Sequence, residues 1–205
     1  MADLVSLVEG IAELVHDGDT VALEGFTHLI PFAAGHEIIR QGRHDLTLVR
    51  MTPDIVYDQL IGMRCARRLV FSWGGNPGVG SLHRFRDAIE HGWPHPLEIE
   101  EHSHAGMANR YVAGASGLPF AVLRGYVGTD LIARSEQIRP ITCPFTGELL
   151  TAVSALRPDV TINQITRTTV YEAGQITGEA MSVQMLRGVF QADGTVITDT
   201  VVNTR

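Results

Sequence analysis

Cysteine is scarce in this chain. Cys65 and Cys143 are the only two among 205 residues, far apart and outside any C-x-x-C pattern. That argues against a disulfide scaffold and against a structural zinc site. Long apolar runs are missing as well, with none approaching the roughly 20 residues that span a bilayer as a helix. The start, Met1-Ala2-Asp3-Leu4, lacks the basic region and apolar core of a secretory signal. Positive charge is in deficit, with 16 basic against 23 acidic side chains and a formal net charge of −7. A nucleic-acid surface announces itself as clustered Lys and Arg, so that class is disfavoured, although a local anion site is still allowed. These absences predict a soluble cytoplasmic protein, with no nucleic acid and no membrane among its partners.

What is present is an ordinary globular balance, 44% hydrophobic and 19% charged, long enough for one substantial core. Leu4, Leu7, Val8, Ile11, Leu14 and Val15 recur at helical spacing behind Asp3 as a candidate cap. Thr20–Leu23, Leu46–Val49, Leu69–Ser72 and Phe120–Leu123 are short apolar runs that read as central strands. Leu97–Glu100 reads as a further strand, and Arg157–Ile162 starts another. Between them lie helical segments after Pro31, around Ile55–Ile61, from Ser81 to about Glu90 and from Ala105 to Ala115. This alternation predicts an α/β fold: an open, mainly parallel sheet with helices on both faces. After Ile162 the chain turns rich in Thr, Val, Gln and Gly. It predicts a β-rich or irregular tail over 163–205, distinct from a domain over 1–162. Within the tail, Ala192-Asp193-Gly194-Thr195 reads as a hairpin turn between Gly188–Gln191 and Val196–Thr198.

Three segments could carry chemistry. Gly25-Phe26-Thr27-His28 follows the first apolar strand and precedes a helix, the place where open α/β sheets bind ligands; Gly25 could equally serve only a tight turn. Gly74-Gly75-Asn76-Pro77-Gly78-Val79-Gly80 again follows a strand. It lacks the Lys-Ser/Thr ending of a P-loop, and a pocket wall or an ordinary connection are even alternatives. Glu100-Glu101-His102-Ser103-His104 is the densest polar cluster. It suits a nucleophile or acid–base site, or a helix cap on Ser103, better than a metal site, for which no third ligand stands at a telling spacing. Arg84 and Arg86 on one helix, and the pair Arg67-Arg68, read as solvated.

Together these stretches resemble family I CoA-transferase α subunits. Asp17-Gly18-Asp19-Thr20-Val21-Ala22-Leu23-Glu24-Gly25-Phe26-Thr27 resembles the amino-terminal signature, and Arg40-Gln41-Gly42 with Asp45-Leu46-Thr47 continues it. So do Gly78-Val79 with Arg84-Phe85-Arg86, Gly117-Leu118-Pro119-Phe120, and Cys143-Pro144-Phe145-Thr146-Gly147-Glu148 with Pro158-Asp159-Val160. Order and spacing are most similar to the glutaconate CoA-transferase α branch. The resemblance implies a β-subunit partner, acyl-CoA and carboxylate substrates, and coenzyme A as substrate with no permanently bound cofactor and no metal. It also implies a glutamate nucleophile on the partner. On this chain Gly25, Phe26, Thr27, His28, Gly74, Gly75, Asn76 and Gly78 would shape the substrate pocket. Glu24 and Glu101 are the local alternatives for a catalytic carboxylate.

Three departures qualify the match. Glu24 stands where the family has the first Gly of Gly-Gly-Phe, and Ile30 where a Gly precedes the proline. Related steroid-ring-cleaving hydrolases carry a working glutamate near the position of Ala105. The family continues from Asp-Val into an Ile-His-Ala-Gln-like strand, whereas this chain reads Thr161-Ile162-Asn163-Gln164 and the Thr-rich tail. Two other readings therefore stand beside the transferase. One is a ring-opening acyl-CoA hydrolase using Glu100 or Glu101 as base, and the other is a truncated, inactive relative.

Overall fold

The computed structural model describes residues 3–25, 30–75, 80–172, 175–190 and 196–204, with side chains for 5–25, 30–75, 80–164 and 185. Five parallel strands make its centre: β2 (Thr20–Glu24), β3 (Leu46–Val49), β4 (Ala66–Phe71), β5 (Glu98–Glu101) and β9 (Val160–Glu172). They lie in the order β9-β2-β3-β4-β5. Beyond β9 the sheet continues antiparallel through β10 (Gln175–Phe190) and β11 (Val196–Thr204), and β1 (Asp3–Leu4) closes that edge parallel to β11. Phe190 stands opposite Val196, so the two arms of the expected hairpin pair as read. Its turn lies outside the described residues. β9 runs without interruption past Ile162.

From β2 to β5 the chain moves one strand at a time in one direction. Right-handed crossovers then place the intervening helices on one face. Those helices are α2 (Phe32–Arg40), α3 (Ile55–Gly62) and α4 (His83–Glu90), joined there by α1 (Leu7–Leu14). Strand residues alternate between faces. Val21, Leu23, Leu46, Leu48, Leu69 and Phe71 meet Ile11, Ile38, Tyr57, Leu60 and Phe85 in the larger core. Ala22, Val49 and Val70 point the other way, to Met107, Leu156 and Tyr111. That second face is covered by α5 (His104–Ala115). Helices therefore flank both faces, four on one and α5 on the other.

Phe120–Leu123, expected as a central strand, is not in this sheet. As β6 it pairs antiparallel with β8 (Leu149–Ser154), which also pairs with β7 (Ile138–Thr142), in a separate three-stranded sheet. A short turn of helix, α6 (Leu131–Arg134), precedes β7. The small sheet has its own core of Tyr126, Ile138 and Val153. Ala121 and Leu123 face that core while Phe120 and Val122 are exposed, the half-buried alternation of an antiparallel strand.

Candidate functional site

The carboxyl ends of β2, β3 and β4 meet at one edge, and a polar lattice finishes them. Arg50, directly after β3, is 4% exposed. Its guanidinium donates to the Leu23 carbonyl at 3.3 Å and to the Gly25 carbonyl at 2.8 Å, and pairs with Asp54 at 3.0 Å. Asp54 also caps α3, accepting from Val56 N–H at 3.1 Å. The Tyr57 hydroxyl accepts from Leu23 N–H at 3.0 Å and donates to the Val49 carbonyl at 2.8 Å. Burial, with the Glu24 charge nearby, holds that phenol well above its ordinary range, so it stays neutral. Backbone groups that leave a ladder need partners, and Arg50 and Tyr57 supply them. Gly25 has φ 155°, a conformation rarely open to L side chains, so the exit from β2 depends on glycine.

Glu24 ends β2 beside this lattice, half-buried. Tyr111 of α5 donates to its Oε1 at 2.7 Å. Burial raises its pKa above the usual carboxylate value, against the Tyr111 hydrogen bond and the Arg50 charge, which lower it. Tyr111 is itself pushed upward, first by burial and then by the Glu24 charge. Two strands away, the Ser72 hydroxyl donates to the Met51 carbonyl at 2.7 Å and lies 3.1 Å from Nδ1 of His104, the first residue of α5. Past it, Trp73, Gly74, Gly75, Gly80, Ser81, Leu82, Phe85 and Arg86 surround a hollow of about 550 Å³. A Cβ on Gly74 would lie 2.6 Å from the Phe85 ring, and one on Gly75 2.8 Å from the Trp73 ring. Glycine at both positions lets those rings close in on the backbone.

Among the sequence-derived pocket residues, Gly25 leaves β2 while Gly74 and Gly75 leave β4, at the same edge with β3 between them. Phe26, Thr27, His28, Asn76 and Gly78 lie outside the described residues. Glu101 closes β5 at that edge and is exposed. Arg84 pairs with Asp87 and lies over the Trp93 ring at 4.8 Å, and Arg86 pairs with Glu90; both are surface interactions.

Of the readings open for the Glu100 cluster, the helix cap on Ser103 holds, and the carboxylate beside it serves an ion cluster. Glu100 is buried on the α5 face, where Arg68 holds Oε2 while Arg110 and the His102 Nε2 (2.8 Å) hold Oε1. Burial alone would raise its pKa, but the His102 hydrogen bond and the Arg110 and Arg68 charges reverse that and bring it to about 2. Arg68 is thus an ion-pair residue, not the solvated neighbour that its sequence predicted. Arg110 also donates to the Ser154 carbonyl at 3.0 Å, tying α5 to β8. Ser103 caps α5, accepting from Gly106 N–H at 3.0 Å. With both oxygens engaged, Glu100 is a poor nucleophile or base. Among the described residues no three His, Cys, Asp or Glu side chains gather as a metal site. Nor is any described helix long and apolar enough to cross a membrane.

Sequence reasoning missed Arg50, Tyr57 and Tyr111. Arg50 carried a signal, a charge immediately after an apolar strand. Tyr111 carried none, since its partner is 87 residues away.

Residues 5–197 match the family described as Coenzyme A transferase. The chain is 70% identical over 162 residues to the A subunit of 3-oxoadipate CoA-transferase from Pseudomonas knackmussii, covering 79% of this chain and 57% of that protein. It is 35% identical over 144 residues to the A subunit of glutaconate CoA-transferase from Acidaminococcus fermentans, covering 68% and 44%. The chain thus spans about half the length of these curated relatives. The crystal structure of the Acidaminococcus fermentans glutaconate enzyme superposes with TM-score 0.70 at 30% identity, covering 78% of this chain and 55% of that one. The crystal structure of a variant of the decarboxylase AibA/AibB also superposes with TM-score 0.70, at 29% identity over 78% of this chain and 61% of that one.

Proposed function

The chain belongs to the Coenzyme A transferase family, and we propose that it is the α-type subunit of an enzyme moving CoA between an acyl-CoA and a free carboxylic acid. Its partner is a β-type subunit that carries the nucleophilic glutamate. A carboxylate oxygen of that glutamate attacks the thioester carbonyl, the C–S bond breaks, and an acyl–glutamyl anhydride and CoA thiolate result. The thiolate then attacks the glutamyl carbonyl, releasing the first acid and leaving a glutamyl-CoA thioester. The incoming acid reverses both steps. Coenzyme A is substrate throughout, and this chain needs no resident cofactor.

One observation carries the division of labour. A carboxylate nucleophile must be desolvated yet free. Neither local candidate at the carboxyl edge fits, because Glu24 is engaged by Tyr111 and Glu101 is exposed. This chain instead contributes wall, with Gly25, Glu24 and Tyr111 at the end of β2 and Gly74 and Gly75 after β4; Phe26, Thr27, His28, Asn76 and Gly78 join the proposal on the family resemblance alone. The ring-opening hydrolase reading loses Glu100 as its base to the arginine cluster. The acid named for the 70%-identical relative, 3-oxoadipate, is the first acceptor to try here.

Exchange between acetyl-CoA or succinyl-CoA and 3-oxoadipate is measured with this chain alone and with a co-expressed β-type subunit. Turnover is expected only with the partner. Robust turnover by the lone chain, abolished by Glu24→Gln or Glu101→Gln, overturns the assignment.

A further inference from the structure

A second cleft, lined by other residues than the candidate pocket, opens on the α5 face of the main sheet. It encloses about 580 Å³, and among its walls are Thr20 and Thr47 of β2 and β3, Arg68 of β4, Arg110 of α5, Gln137 before β7, and Arg157 after β8. Thr20 opens β2 and Glu24 ends it, four residues apart, so the cleft begins roughly 13 Å from the carboxyl edge. It lies on the α5 face, between the amino-terminal half of the main sheet and the small antiparallel sheet.

Its charge is one-sided. Arg67, Arg68, Arg110 and Arg157 line it against one carboxylate, Glu100. Glu100 is already held on both oxygens, and its pKa of about 2 keeps it ionised among the arginines. Arg68 also reaches Glu98 at the rim, at 3.3 Å. Its Nε–H is nonetheless buried with no hydrogen-bond partner. A buried donor left unmet is costly and marks a place where an acceptor belongs. Arg157 is exposed at the mouth, with one terminal nitrogen on the Leu118 carbonyl at 3.1 Å. Such a concentration is unusual in a chain of net charge −7. All 16 of its cationic side chains are arginine, whose planar fork matches oxyanions two atoms at a time.

We propose that this cleft binds a compact small-molecule polyanion, of the phosphate or carboxylate class, at a site separate from the acyl pocket. Arg68 Nε and Arg157 supply the charge-assisted donors, Thr20, Thr47 and Gln137 supply neutral polar groups, and Arg110 fixes the floor through Glu100.

The test uses the full chain with sodium pyrophosphate and, separately, sodium citrate. Thermal unfolding and isothermal titration are read against sodium chloride at matched ionic strength. At least one polyanion is expected to give a saturable rise in Tm and one binding event, and which of them does so names the phosphate or the carboxylate class. Arg157→Ala, which removes an exposed residue, is expected to weaken binding by about tenfold or more. Arg68→Lys retains the charge facing Glu100 but deletes the Nε donor, and it is expected to weaken binding as well. Arg134→Ala, on α6 and not among the cleft's walls, is expected to bind as the unsubstituted chain does. Stabilisation no greater than that by chloride, or equal binding by all four proteins, overturns the proposal.

Discussion

At Glu100 two opposite effects act on one carboxyl. Removing it from water favours the neutral acid, while His102, Arg110 and Arg68 favour the anion, and the pKa near 2 says that the cations win. A carboxyl whose pKa drops from 4.5 on folding gives stability that is fully present above pH 4.5. That stability is lost as pH falls through 2. The shift corresponds to about 3 kcal/mol. Glu100→Gln should therefore unfold more readily at neutral pH, by roughly 3 kcal/mol, because Arg68 and Arg110 lose their counter-charge. The gap from the unsubstituted protein should narrow between pH 4.5 and 2, which urea titrations at a series of pH values would measure. A constant gap across that window would remove the carboxylate from this role. The cluster Glu100-Glu101-His102 is visible in the sequence as polar and dense. Its arginines, 32 and 10 residues away, are not, so a structural ion cluster reads there as a possible catalytic one.

Helix α5 joins the two sheets, and its seat depends on Gly114. A Cβ there would lie 2.0 Å from the Leu156 carbonyl oxygen, and that same segment donates Leu156 N–H to the Arg110 carbonyl at 3.0 Å. Helix propensity alone predicts that Gly114→Ala stabilises by about 1 kcal/mol. Displaced backbone cannot rotate away as a side chain can, so the clash should win. The variant is expected to lose about 2 kcal/mol or more in denaturant unfolding, and a gain would show that the helix shifts freely. Elements of this kind differ in how legible they are. β2, β3 and β4 announce themselves as apolar runs between helical segments. Phe120–Leu123 makes the same announcement, but four apolar residues do not say which sheet they join. The hairpin of β7 and β8 goes unread, its arms broken by Pro140 and by threonines. For the first helix the sequence offers Asp3 as a cap. The cap is Ser6, which accepts from Glu9 N–H and donates its own N–H to the Glu9 carboxylate.

For the molecule as a whole, the parallel sheet sends every β2-to-β5 strand out at one edge, and that geometry decides where substrate chemistry can be assembled. The alternation of strands and helices makes the edge readable from sequence, together with Gly25 and the Gly74-Gly75 pair upon it. Of the closing lattice, Arg50 leaves one trace, a charge directly after an apolar strand, but what Arg50, Tyr57 and Tyr111 hold is not readable, because each reaches another element through space. The proposed function turns on a division of labour, in which this chain would wall the acyl pocket and the glutamate that takes up CoA would belong to a partner. The covalent intermediate tests that division without relying on turnover. The chain, co-expressed with a β-type subunit, is incubated with acetyl-CoA or succinyl-CoA without acceptor acid, quenched in acid, and mapped by peptide mass spectrometry. A CoA adduct is expected on one glutamate of the partner, with Glu24 and Glu101 unmodified. An adduct on either of those two residues would place the nucleophile on this chain and contradict the division.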